Sequence, residues 1–274
     1  MDRAIVGVCF DSRQRRILDN TLPWRRYEER HGIPVRVVER DYAGGDSYWN
    51  KHLLFRNPEL RSFKYLMFLD NDVFANAEAE PLLKEWDSPL IGATFESTQA
   101  SWSPEVIDRY YDEYFVDRRP GVSNLQIINT RVLILPREQS DFLEVTYRRW
   151  KAWMASVPRP LPRRKDPFVL AADQPHVSYA LQAEKRYKCC AERFNTLWWH
   201  WYKNNAQSRH QFFLFRSKAA ALSLHALPKR LWRAAFHHER VTFARALASC
   251  DFLHVAGSKS PVFLDMEPRP EMRS

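Results

Sequence analysis

Two aspartates one residue apart, Asp70-Asn71-Asp72, follow directly on the apolar run YLMFL at 65–69. A strand that turns at that point can bring both carboxylates to one divalent ion, which needs a third ligand and often shares oxygens with a diphosphate. Acids also follow buried strands simply because the chain has reached water, so the pair alone leaves both readings open. The chain has only seven glycines, and none are spaced as G-x-G-x-x-G or as a Walker loop. Phosphates bound here would therefore be neutralised by a cation or by Lys and Arg side chains, not mainly by loop amides. Cys9, Cys189, Cys190 and Cys250 form no C-x-x-C pair, a pattern that suits a reducing cytosol.

The elements that must position the aspartates alternate. AIVGVCF at 4–10 is a β-branched apolar run of the kind buried on both faces, and it ends at Asp11-Ser12. Residues 13–31 read as a helix, 33–39 as a second strand, 42–47 as a Gly-Gly turn, 49–55 as a helix and 65–69 as a third strand. Further strands are expected at 90–95 and 127–135, and further helices at 139–155 and 172–184. Strand, helix, strand, helix, strand predicts an α/β fold with a mixed, mainly parallel sheet flanked by helices, in which ligands sit beyond the carboxyl ends of the strands. Asp11 and the Asp70/Asp72 pair stand at two such ends.

The chain has 274 residues, 45% of them hydrophobic, with 42 Lys and Arg against 33 Asp and Glu. That is long enough to bury a full core, and residues 1–274 read as a single domain. The first apolar run is short for a signal peptide, and no stretch approaches the roughly 18–20 apolar residues needed to span a bilayer. The charge excess is concentrated between 198 and 250, where nine Lys and Arg face one acid, Glu239, among ten aromatic residues. This helix-favouring segment reads either as an element for a membrane surface, an acceptor or a polyanion, or as ordinary core beside a solvated face. Residues 157–167 form a proline-rich loop.

Four segments, in order, carry a resemblance. FKYLMFLDNDVFAN resembles the D-x-D segment of GT-A type nucleotide-sugar glycosyltransferases, especially family 8 and its relatives. IINTRVLIL resembles that family's Asn-x-Gly strand, AADQPHVSYAL its Asp-Gln segment, and FLHVAGSKSP its His-x-x-Gly-x-x-Lys-Pro motif. The resemblance implies a GT-A, Rossmann-like fold and a hexosyltransferase moving a sugar from a nucleoside diphosphate sugar, with uridine as the base, to a hydroxyl acceptor with retention. It implies Asp70, Asp72 and His254 as ligands of Mn²⁺ or Mg²⁺, the mixed O/O/N set suiting Mn²⁺ better. It implies donor contacts from Phe10, Asp11, Ser12, Lys51, Asp70, Asn129, Gly257 and Lys259, and it sets Asp173 and Gln174 beside the anomeric carbon as catalytic residues.

Two positions depart from the pattern. Arg131 stands where the family has Gly, so either close backbone approach to the donor is lost or an arginine has taken over a phosphate or acceptor contact. Lys259 comes one residue early, with Ser260 before Pro261.

The implied partners are a nucleotide sugar and a glycan, lipid-linked or protein acceptor. The basic aromatic segment fits a cytoplasmic enzyme resting on the anionic inner face of a membrane. The rival readings are an inactive GT-A scaffold, a polyanion- or nucleic-acid-binding protein using 198–250, and a sugar-1-phosphate nucleotidyltransferase. The last needs a glycine-rich loop after the first strand, where this chain reads FDSRQRRIL. Nucleic-acid binding leaves the ordered motifs unexplained. An Asp173 acting as base would permit inversion in place of retention.

Overall fold

A computed structural model describes residues 2–9, 22–96, 122, 127–156, 173–197, 201 and 244–254. The expected helix 13–31 is described as α1 (Leu22–His31), and the strands as β1 (Arg3–Val8), β2 (Val35–Val38) and β3 (Tyr65–Leu69). β3 leads by a tight turn into β4 (Val73–Ala75), followed by the single-turn α2 (Leu82–Glu85), β5 (Ile91–Phe95) and β6 (Ile128–Pro136). The long helix α3 (Ser140–Ser156) and α4 (Gln174–Ala183) precede β7 (Tyr187–Cys189), β8 (Thr196–Leu197) and β9 (Phe252–His254). β4, β7, β8 and β9 were not among the expected elements. Each is only two or three residues long, too short for hydrophobic alternation to register.

Six strands form the main sheet in the order β2-β1-β3-β6-β5-β7, and β4, β9 and β8 form a second, smaller sheet. β1 runs parallel to β2 and β3, and β5 parallel to β7, while β6 is antiparallel to both its neighbours. The sheet is mixed and largely parallel. Its two faces are buried separately, because side chains alternate along each strand. Ala4, Val6, Leu66, Phe68, Leu133 and Leu135 pack against Trp49, Leu54, Trp150 and Val177. Ile5, Met67, Leu69, Val132 and Ile134 pack against Trp24, Tyr27, Trp86 and Phe252.

Ile128 breaks the alternation by lying with Leu133 and Leu135 rather than with Val132 and Ile134. The break coincides with an irregular register in which Gly92 of β5 faces Ile134 but Thr94 faces Asn129. Extra residues in one strand re-aim its side chains locally, and the ones re-aimed here are Thr130 and Arg131. Gly92 is required beside the irregularity, since a Cβ there would come within 2.8 Å of the Trp86 ring.

The expected helix 49–55 is instead a pair of 3-10 turns, Ser47–His52 and Leu54–Arg56. Asn50 turns its side chain back to accept from the Tyr42 amide at 2.6 Å and to donate to Asp41 at 2.8 Å, closing the Gly44-Gly45 turn, in which both glycines have positive φ. Pro58 disfavours helix at its predecessor, so the run stays short. Trp49 packs at a tilt against the rings of Tyr147 and Trp150 of α3, which sets Lys51 and His52 toward the sheet. Among the described residues no helix is long and apolar enough to cross a membrane.

Candidate functional site

β3 is buried along its whole length and ends where the chain meets solvent at Asp70. A turn follows at once: the Val73 amide donates to the Asp70 carbonyl at 3.0 Å and the Asn71 amide to Asp70 Oδ1 at 2.9 Å. The Trp24 indole then pins the Val73 carbonyl at 2.8 Å. This reversal brings both carboxylates to one side, where they meet a guanidinium. Arg131 Nη1 lies 2.7 Å from Asp70 Oδ2 and 3.8 Å from Asp72 Oδ2. The backbone repeats the pairing, since the Asp70 amide donates to the Arg131 carbonyl at 3.0 Å. Arg131 and Asp72 are about a third exposed and Asp70 about a quarter. Burial works to lower the Arg131 pKa, and the charges of Asp70 and then Asp72 outweigh it, so the group is held above its ordinary value and stays cationic.

The expected third metal ligand, His254, is placed by its backbone alone: β9 pairs antiparallel with β4, setting His254 opposite Val73. Its side chain lies outside the described residues. Among the described residues no group of three His, Cys, Asp or Glu side chains is arranged to hold a metal ion. With a guanidinium already bridging Asp70 and Asp72, the two carboxylates as arranged do not fit a divalent ion.

A second polar cluster lies under the sheet's other face. Asp173, just before α4, is 2% exposed. Its Oδ2 receives Lys51 Nζ at 2.7 Å, His52 Nε2 at 3.0 Å and Thr130 Oγ1 at 2.9 Å. Lys51 also reaches Thr130 at 3.0 Å. Burial works to raise the Asp173 pKa but is outweighed by the charge of Lys51 and the hydrogen bond from His52, leaving it far below the ordinary carboxylate value. A carboxylate so buried and so acidic is a poor proton acceptor. Burial lowers the His52 pKa, so the ring is neutral and its Nε2 donates.

Between the two clusters, Glu96 at the end of β5 accepts through Oε2 from Gln174 Nε2 at 2.5 Å and from Asn129 Nδ2 at 3.1 Å. Asn129 Oδ1 in turn accepts from the Arg131 amide at 2.8 Å. Carboxylates, amides and a guanidinium therefore gather along the stretch 129–131 of β6.

No protein-family model matches the chain, and no curated protein matches it in sequence. Solved structures do. A glycosyltransferase involved in the glycosylation of the major capsid of PBCV-1 superposes with a TM-score of 0.53 at 12% identity, over 97% of this chain and 99% of that one. The bifunctional glycosyltransferase WbbM superposes with a TM-score of 0.51 at 12% identity, over 95% of this chain but 47% of its own length, so the chain spans about half of that protein. The fold is GT-A.

On this GT-A framework the structure brings together Lys51, Asp70, Asp72, Asn129, Asp173 and Gln174 in or beside one polar region around β6. Phe10, Asp11 and Ser12, just past the end of β1, lie outside the described residues, as do Gly257 and Lys259. So does most of the basic segment, residues 202–243. Sequence reasoning missed His52, Thr130 and Glu96. His52 and Thr130 adjoin Lys51 and Asn129, but neither belongs to a motif. Glu96 closes a strand by carboxylate, as Asp70 does, and that was the available signal.

Proposed function

We propose that this chain transfers a glycosyl group from a nucleoside diphosphate sugar to a hydroxyl acceptor. The observation that carries the reading is the Asp70–Asp72–Arg131 cluster at the carboxyl end of β3, with Glu96, Asn129 and Gln174 alongside. Mixed acceptors and donors of that kind suit a polyhydroxyl ligand, and a guanidinium suits a phosphate. As the bond between the anomeric carbon and the β-phosphate oxygen breaks, negative charge grows on the phosphate, and fixed donors there lower the barrier. The acceptor oxygen forms the new bond to the anomeric carbon and its proton passes to the departing phosphate, which gives retention. Asp173 positions Lys51, His52 and Thr130 beneath the site and does not take that proton. The Mn²⁺ or Mg²⁺ that the resemblance implies would have to displace Arg131 from Asp70. Uridine as the base and a glycan, lipid-linked or protein acceptor follow from the resemblance.

Calorimetric titration of UDP, GDP, ADP and CMP, with Mn²⁺ and with EDTA, tests the donor class. Binding of one nucleotide, followed by release of that nucleotide from its sugar conjugates, is the expected result. Arg131→Gln, which removes the donor, should lower that turnover by about 100-fold. If no nucleotide binds in either buffer, the reading fails.

A further inference from the structure

We propose that Arg131 is the resident counter-ion of the Asp70–Asp72 pair, so that a guanidinium, not a divalent metal ion, neutralises the two carboxylates and meets the donor diphosphate. The inference rests on the nucleoside diphosphate reading above and gives its phosphate site a chemistry.

The placement follows from the ladder. β3 and β6 pair in register through Leu69 opposite Val132, so the next residue on each strand, Asp70 and Arg131, are neighbours across the sheet. Their backbones are joined by the Asp70 amide and Arg131 carbonyl, and Arg131 is held from its other side by Asn129 Oδ1. These bonds fix the main chain of Arg131, and the guanidinium is held beside the turn by its ion pair with Asp70. Its Nη1 serves both carboxylates, at 2.7 Å and 3.8 Å.

An ion bound to the same two oxygens would sit within a few ångströms of the guanidinium as it is placed here, and like charges at that range repel. Glycine at this position would leave the space between the carboxylates open; arginine fills it. Among the described residues Nε and Nη2 of Arg131 take no acceptor, and the side chain is 32% exposed. Among the described residues three N–H donors of the planar fork are left for a ligand, the arrangement that receives two oxygens of a phosphate at once.

The test is titration of Mn²⁺, followed by electron paramagnetic resonance, and of UDP, followed by calorimetry, on the wild-type chain, Arg131→Gln and Arg131→Lys. In the wild type, UDP should bind in EDTA with an affinity that Mn²⁺ changes by less than about threefold, and Mn²⁺ should find no stoichiometric site. Arg131→Gln should weaken UDP binding in EDTA by about tenfold and open a Mn²⁺ site that is lost again when Asp72→Asn is added. Arg131→Lys should keep part of the EDTA-resistant binding. A wild-type chain that holds one Mn²⁺ and loses UDP on EDTA treatment overturns the proposal, and that measurement needs no variant to fold. If no nucleotide binds under any condition, the donor reading falls on its own. The Mn²⁺ arm then still decides: binding to Arg131→Gln alone supports the counter-ion, and equal binding to both chains overturns it.

Discussion

Asp173 and Asp70 are both tied to the middle of β6, one through Thr130 and the other through Arg131, and they are built in opposite ways. Asp173 is sealed, with one oxygen taking three donors, among them a lysine that is itself 5% exposed. Asp70 is open, 26% exposed and paired with a side chain that is itself 32% exposed. Burial makes the first pair rigid and expensive to disturb, because either charge alone would be stranded in a low-dielectric interior. Exposure makes the second pair cheap to disturb and available to a ligand. The irregular stretch of β6 lets adjacent residues serve the two centres, holding one cluster fixed as the floor of the other.

The largest expected effect tests the sealed centre. Lys51→Met leaves Asp173 charged and buried with only His52 and Thr130, and should cost about 3–5 kcal/mol in urea unfolding, part of it recovered in Lys51→Met with Asp173→Leu. Asp72→Asn, made in the open centre, should cost less than about 1 kcal/mol. If the two single variants cost the same, the distinction between the centres is broken.

The next effect is the response to pH. Burial lowers the pKa of His52 below its ordinary value and pushes that of His176 down to about 3. In the unfolded chain both titrate near the ordinary histidine value, so as pH falls below about 6.5 the unfolded state binds protons that the folded state refuses. Stability is therefore lost as pH falls, by about 1.4 kcal/mol per pH unit for each histidine while its folded form stays neutral. Asp173 adds nothing in that range. Its lowered pKa contributes stability that is fully present above the unfolded carboxylate value of about 3.9 and is lost only as pH falls below it. Urea midpoints at pH 7.5 and 5.5 measure the histidine share, and His176→Phe should flatten the slope by one histidine's worth. A flat profile between those two values would mean that the cluster admits protons and is not sealed.

Much of this arrangement was legible in the sequence. β1 and β3 read as continuous apolar runs and are buried along nearly their whole length, and β5 and β6 lie within the stretches expected as strands. Asp70, Asp72, Asp173 and Gln174 could be singled out from the sequence, and the structure places them around the same strand. What motifs could not show is which carboxylate is sealed and which is open, because that depends on non-local partners: Lys51 and His52 reach Asp173 across 122 and 121 positions of chain. The 3-10 geometry of 47–56 was hidden for a related reason, since Asn50 is bonded to the preceding turn rather than to its own helix. The short strands β4, β8 and β9 exist by pairing with one another and carry no pattern of their own.

The smallest effect concerns how the second sheet is hung beside the open centre. Arg193 Nε and Nη2 hold Asp251 Oδ1 at 2.9 Å and 2.7 Å, the Asp251 amide donates to the Arg193 carbonyl at 2.7 Å, and the Asp251 carbonyl accepts from Asn76 at 2.9 Å. This bracket starts β9 in register with β4, whose first residue follows Asp72. Arg193 is well exposed, so its ion pair is screened, and Arg193→Ala should cost about 0.5–1 kcal/mol. The hydrogen bonds between main-chain groups remain. Amide hydrogen exchange in β9 and β4 should therefore quicken modestly while that of β3 and β6 stays unchanged. Equal quickening in all four strands would mean that the small sheet and the carboxylate turn open as one unit. The open centre would then owe its shape to β9 as much as to β6.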